Sequence, residues 1–212
     1  MDDAVRAVLK EYEARAAKEL AQMAELLRGG GRVNRDDLLL SVGPQSGALL
    51  KTLAQGAGAR HILELGTSYG YSTMWLAMAA KETGGKVTTC DVAPAKQEYA
   101  RAALTRAGLA DQVIFRPGDA LQTIPTLADG IDFVLVDLWK DKYVPCLEQF
   151  LPKLSPGAIL VADNMLQPVQ SRPDALAYRR AVRAIPGLSS VLLSVGSGLE
   201  VSRLKGPLDE GV

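Results

Sequence analysis

With 212 residues, 48% of them hydrophobic and 23% charged, the chain is long enough for one folded domain with a sizeable core. Lys+Arg and Asp+Glu both number 24, which leaves no net field to recruit nucleic acid or an anionic membrane. No apolar run reaches the roughly 20 residues of a bilayer span, and two cysteines with one histidine exclude a disulfide framework, a thiolate zinc site and Ser-His chemistry. The start Met1-Asp2-Asp3-Ala4 lacks the layout of a signal peptide, so the expected setting is cytoplasmic and the expected partner a small molecule.

Taken in chain order, residues 3–28 carry Val5, Val8, Leu9, Tyr12, Leu20, Met23, Leu26 and Leu27 at helical spacing among charges, up to Gly29-Gly30-Gly31. The spacing predicts an amphipathic helix, and a second follows over 44–55. From residue 61 apolar runs alternate with helical patterns. Strands are predicted over 61–65, 86–90, 112–116, 131–137 and 157–162, with helices near 71–82, 95–107, 120–127 and 142–151. Such alternation implies a parallel sheet covered on both faces. A helix near 174–184 precedes strands over 189–195 and 199–204, and Gly196-Ser197-Gly198 between them is a hairpin-length turn. The last strand must therefore run antiparallel. We expect a single domain over 1–212, with N-terminal helices over 1–57, a Rossmann-like core over 58–205 and a loose tail from Gly206.

Two strand ends stand out. Asp137-Leu138-Trp139-Lys140 follows the fourth predicted strand, and Asp163-Asn164 follows the fifth. In open α/β sheets ligands bind at the carboxyl ends of the strands. Two carboxylates and an amide oxygen converging there suit a hard divalent cation, and Lys140 could take a proton from what the cation holds. His61 has no partner for a site and reads as a strand-edge residue.

The first strand runs into Leu63-Glu64-Leu65-Gly66-Thr67-Ser68-Tyr69-Gly70-Tyr71-Ser72 and then a helix. Its glycines allow close backbone approach to a ligand at a helix N-terminus. Asp91, ending the second strand, can accept both hydroxyls of a ribose, and Pro117-Gly118-Asp119-Ala120 gives a polar edge beside an adenine-sized slot. NAD, FAD and nucleoside-type cofactors all use such a loop, but the Gly-x-Gly-x-x-Gly spacing for a pyrophosphate is missing. Glu64 would repel a diphosphate and suit an ammonium or sulfonium charge, which favours S-adenosylmethionine.

Taken together, Leu63-Glu64-Leu65-Gly66, Gly70-Tyr71-Ser72, Asp91, the run Asp137 to Tyr143, Asp163-Asn164 and Gly198-Leu199-Glu200 resemble the metal-dependent class I O-methyltransferases. Trp139-Lys140-Asp141 and the ending through Lys205-Gly206-Pro207 are most similar to catechol O-methyltransferase; the caffeoyl-CoA branch usually has an aspartate in place of Trp139. The resemblance runs from about Leu39 to Pro207. It implies a doubly wound seven-stranded α/β sheet with an antiparallel last strand. It further implies Asp137, Asp163 and Asn164 as Mg²⁺ ligands, Lys140 as general base and Glu200 as anchor of a second catechol hydroxyl. Val42, Glu64, Gly66, Ser72, Asp91, Asp119, Ala120, Asp137 and Trp139 would line the S-adenosylmethionine site, with Ser72 and Asp137 at its methionine end. Trp139 would pack on the adenine or on the acceptor ring. A homodimer has precedent in the family.

Leu38 and Leu40 stand where catechol O-methyltransferase places aromatic and Met side chains, whereas Pro168 fits that family's gatekeeper proline. The expected activity is methyl transfer to a catechol-like vicinal diol. A caffeoyl-CoA-type acceptor, a non-catalytic S-adenosylmethionine-binding module and a nicotinamide-dependent oxidoreductase are its rivals.

Overall fold

The computed structural model describes residues 1–30, 32 and 38–206. Gly31 and the predicted tail beyond Gly206 lie outside the described residues. The core is a seven-stranded sheet in the order β3-β2-β1-β4-β5-β7-β6, made of β1 (His61–Leu65), β2 (Lys86–Asp91), β3 (Val113–Pro117), β4 (Ile131–Val136), β5 (Leu154–Ala162), β6 (Leu188–Leu193) and β7 (Leu199–Leu204). The first five strands pair in parallel, and β7 pairs antiparallel with both β5 and β6. The expected reversed last strand is present, inserted between β5 and β6.

Helices cover both faces, as continuous apolar parallel strands require. Side chains alternate across the sheet, so Ile62, Phe133, Leu135 and Val161 face α2 (Gly43–Gly56) and α3 (Tyr71–Thr83). Leu63, Leu65, Val134, Val136 and Leu160 face the other core with α6 (Tyr143–Phe150) and α7 (Arg172–Ala184). Between these lie α4 (Pro94–Arg106), which follows β2, and α5 (Ala120–Thr123), which follows β3.

Helix α1 (Asp3–Arg28) starts at the Asp2 cap and buries Val5, Val8, Leu9 and Tyr12. Further along, Leu20 is 62% exposed and Leu27 56%, so the domain covers only the first half of the predicted apolar stripe. The helix predicted near 120–127 is shorter than expected. Its second half is a 3₁₀ turn, Ile124–Thr126, because Pro125 removes a backbone donor. Pro152 similarly closes α6 through a 3₁₀ turn, Leu151–Lys153, and β5 begins at once.

Candidate functional site

The parallel ladders determine what stands at the carboxyl rim. Leu65 is in register with Val136, and Val136 with Ala162. The hydrogen bonding runs one residue further, with Asp137 N–H donating to Leu65 O (2.8 Å) and Asp163 N–H to Val136 O (3.1 Å). Gly66, Asp137 and Asp163 therefore follow one another across neighbouring strand ends, spaced about 4.8 Å apart as sheet geometry dictates. Gly66 has φ +105°, and a Cβ there would overlap the main-chain carbonyl of Asp137. Only glycine lets the loop cross the next strand this closely.

On the β1–β3 side of the rim nearly every polar group has a partner. Glu64 is wholly buried, and its carboxylate accepts from the hydroxyls of Ser72 (2.7 Å), Thr73 (2.6 Å) and Thr89 (2.6 Å). Burial pushes its pKa up to about 7, against the three hydroxyls that favour the anion. The expectation of Glu64 as an anion displayed to a positively charged cofactor thus meets a different geometry. Glu64 locks β1, β2 and the start of α3 together and reaches the rim through Ser72. Thr67 and Gln97 extend this network, with Gln97 Nε2 donating to Thr67 Oγ1 at 2.9 Å.

Asp91 accepts from the backbone N–H groups of Ser68 (2.7 Å) and Ala93 (2.8 Å), which aim a half-buried carboxylate along the glycine loop. Gly66 and Asp91 stand at the carboxyl ends of the neighbouring strands β1 and β2, and Ser72 in the first turn of α3. Asp119 caps α5 by accepting from Leu121 N–H (2.9 Å), and Lys142 pairs with it at 2.7 Å. The Lys142 ammonium holds its carboxyl below the usual carboxylate range. Ala120 is buried behind it, and Val42, also buried, ends the approach to α2. Asp119 and Ala120 adjoin Asp91 through Gly118 N–H, which donates to Asp91 O at 2.8 Å.

The β4–β5 side is unsatisfied by comparison. Asp163 Oδ1 is buried with no hydrogen-bond partner. Burial raises the pKa of both Asp137 and Asp163; the Asp137 charge raises Asp163 further, and Lys140 opposes the shift in each. Lys140 Nζ donates to Asn164 Oδ1 at 3.0 Å and to the Tyr143 hydroxyl. Asn164 sits in the left-handed region with φ +57°, a conformation that asparagine tolerates better than most residues. Asp137, Lys140, Asp163 and Asn164, predicted as one site, are thus assembled in one place. Trp139 is 55% exposed at its edge, and Pro168 is half-buried on the loop after Asn164.

The sequence matches the O-methyltransferase family model over residues 13–203. The chain belongs to the O-methyltransferase family. It is 37% identical to the catechol O-methyltransferase of Mycobacterium tuberculosis over 163 residues, covering 73% of this chain and 74% of that protein. Caffeoyl-CoA O-methyltransferase 1 of Eucalyptus globulus is 26% identical over 185 residues, covering 78% and 75%. Among solved structures, the O-methyltransferase from Bacillus cereus in complex with SAH superposes with a TM-score of 0.76 at 28% identity, covering 97% of this chain and 92% of that one. The resemblance read from the motifs and the seven-stranded fold are both borne out.

Glu200 departs from expectation in its surroundings. It lies on β7 opposite Ala162, its side chain has no exposure, and both carboxylate oxygens are engaged. Arg179 Nε donates at 2.9 Å, Arg183 Nε at 2.8 Å and the Ser190 hydroxyl at 2.7 Å. The physical reason is α7, whose arginines at i and i+4 share one face over β7. Three donors and full burial of the side chain hold Glu200 in the fold's own ion-pair network.

Sequence reasoning assigned no role to Tyr143, Thr73, Thr89, Arg179 or Arg183. For Tyr143 a signal existed. Its spacing of three from Lys140 is that signal: through the 3₁₀ turn Lys140–Lys142 of the fold, side chains at i and i+3 fall on one side.

Proposed function

We propose that this O-methyltransferase transfers the methyl group of S-adenosylmethionine to one hydroxyl of a catechol-like vicinal diol. The observation that carries this reading is the buried, unpartnered oxygen of Asp163 beside Asp137, with Lys140 on Asn164 at the same strand end. Among the described residues no three His, Cys, Asp or Glu side chains gather into a metal-binding group, so a cation would rest on two carboxylates and an amide oxygen. That donor set fits Mg²⁺, which prefers oxygen ligands and keeps open positions.

In this reading Asp137, Asp163 and Asn164 would hold the cation, and a bound cation would offset the two carboxylates and lower the pKa of a phenolic hydroxyl. Lys140 Nζ takes the proton from that hydroxyl. The freed oxygen bonds to the sulfonium methyl as the S–C bond breaks, leaving SAH. Gly66 and the network of Ser72 and Glu64 fix the cofactor edge, Asp91 accepts from its ribose, and Val42, Asp119 and Ala120 border it. Trp139 packs over the donor or the acceptor ring. Much of the rate comes from holding oxygen and methyl at near-attack distance. Glu200 is assigned to the wall of the acceptor site, acting through its ion pairs with α7.

The caffeoyl-CoA relative supports a second reading, in which the diol is carried on a hydroxycinnamoyl thioester. Labelled-methyl transfer to free catechols and to hydroxycinnamoyl thioesters, each with Mg²⁺ and with EDTA, tests both. Transfer to free catechols that EDTA abolishes and Mg²⁺ restores is the expected result. Full activity in EDTA overturns the metal assignment, and donor binding without transfer to any diol overturns the enzymatic one.

A further inference from the structure

We propose that Tyr143 is a positioning residue that fixes where the Lys140 amine stands relative to the acceptor oxygen. The inference deepens the reading of Lys140 as general base and rests on it.

Tyr143 is wholly buried, and its hydroxyl has contacts on both sides. It accepts from Lys140 Nζ, and it donates to the main-chain carbonyl of Asp163 at 3.2 Å. The phenol thus connects the lysine amine to the backbone of the strand end that carries Asp163 and Asn164. Its single hydrogen is committed to a carbonyl, so its oxygen faces Nζ as an acceptor. The ring is itself fixed, edge-on against Tyr178 with centroids 5.5 Å apart and planes at 82°.

A lysine head on four rotatable bonds gains much from such a fixed point. Asn164 Oδ1 supplies one contact to Nζ at 3.0 Å, but that same oxygen is the one read above as a cation ligand. Nζ also reaches the Leu138 carbonyl at 3.4 Å, and Tyr143 adds a contact, separate from Asn164 Oδ1, that ties Nζ to the main chain of Asp163. A misplaced base changes how readily each of two adjacent hydroxyls loses its proton. The tyrosine should therefore affect turnover and regiochemistry while leaving binding alone.

The test is a double-mutant cycle with Lys140→Ala and Tyr143→Phe, with Tyr178→Phe as a packing control. It is read by kcat, by KM for donor and acceptor, and by the ratio of the two monomethylated products from an unsymmetrical catechol. Tyr143→Phe should lower kcat about 10- to 100-fold, the range for a small misplacement of a catalytic group, and leave both KM values within about twofold. Its product ratio should move toward unity, and Tyr178→Phe should change neither kcat nor the ratio. In the Lys140→Ala background Tyr143→Phe should have no further effect. Additive losses, or an unchanged product ratio in Tyr143→Phe, overturn the positioning role while leaving the base in place. Full activity in Lys140→Ala overturns the base itself, a distinguishable result.

Discussion

The two halves of the carboxyl rim bury acidic groups in opposite ways. At the β1–β2 junction Glu64 sits without solvent, yet three hydroxyls donate to it. At the β4–β5 junction Asp137 and Asp163 stand on adjacent strand ends, and Asp163 retains an oxygen with no donor. A buried polar group is tolerated when hydrogen-bonded and costs free energy when it is not. The first carboxylate is thus explained by the chain's own architecture. The second pair is not: Asp163 Oδ1 has no donor among the described residues, and the proposed cation would offset its charge.

The contrast breaks most sharply if the β4–β5 acids prove dispensable. Asp163→Ala and Lys140→Ala should each lower kcat by roughly 10²–10⁴-fold, the scale of a lost base or charge-stabilising group. Calorimetric S-adenosylmethionine affinity should stay within a few-fold in Lys140→Ala, and unchanged turnover in both variants would sink the comparison.

Next in size is Glu64→Ala, which strands the hydroxyls of Ser72, Thr73 and Thr89. It should cost about 2–5 kcal/mol in a denaturant melt, from roughly 1–3 kcal/mol per unsatisfied group less relaxation. Glu64→Gln should recover most of that, since an amide oxygen still accepts. A loss in the Ala variant of under half a kcal/mol would show that the network is incidental.

Glu64 also sets a pH dependence. Its folded pKa, about 7, lies above the ordinary carboxylate value, so the folded state binds the proton more tightly. Its contribution to stability is fully present below the unfolded pKa and is lost as pH rises through about 7. Melts of wild type and Glu64→Gln should run close together at low pH and diverge as pH rises through about 7, wild type losing stability relative to the amide, and parallel curves would contradict the shift.

The other half should respond with the reverse sign. In EDTA, Asp163→Asn removes a carboxyl whose charged form burial and the Asp137 charge both disfavour, and its melting temperature should rise by a few degrees, about 1 kcal/mol. The activity should be lost in the same protein. Smallest of all, Trp139→Ala at an exposed rim position should shift stability by no more than about 0.5 kcal/mol, with its effect on acceptor KM instead.

Much of this architecture is legible in the chain. Alternation of apolar runs with helical periodicity gives the parallel sheet, and Gly196-Ser197-Gly198 between two strand patterns gives the reversed last strand. Asp137, Lys140, Asp163 and Asn164 are legible as one site because a residue just past a parallel strand must land on the rim. Glu64 reads as a cofactor anion in sequence because nothing local announces Thr89, a residue 25 positions away that donates to it. Arg179 and Arg183 are equally silent. Their meeting with Glu200 depends on β7 inserting between β5 and β6, which places Glu200 beside Ala162 and beneath α7.

The sequence by itself determines which residues reach the rim, because strand periodicity and strand ends are local properties of the chain. The tertiary structure alone decides which of those acids is already satisfied. Whether a buried carboxylate is paired depends on donors brought in from other strands and helices. That difference separates Glu64 and Glu200, held by the fold's own hydroxyls and guanidiniums, from Asp163, whose Oδ1 has no donor among the described residues.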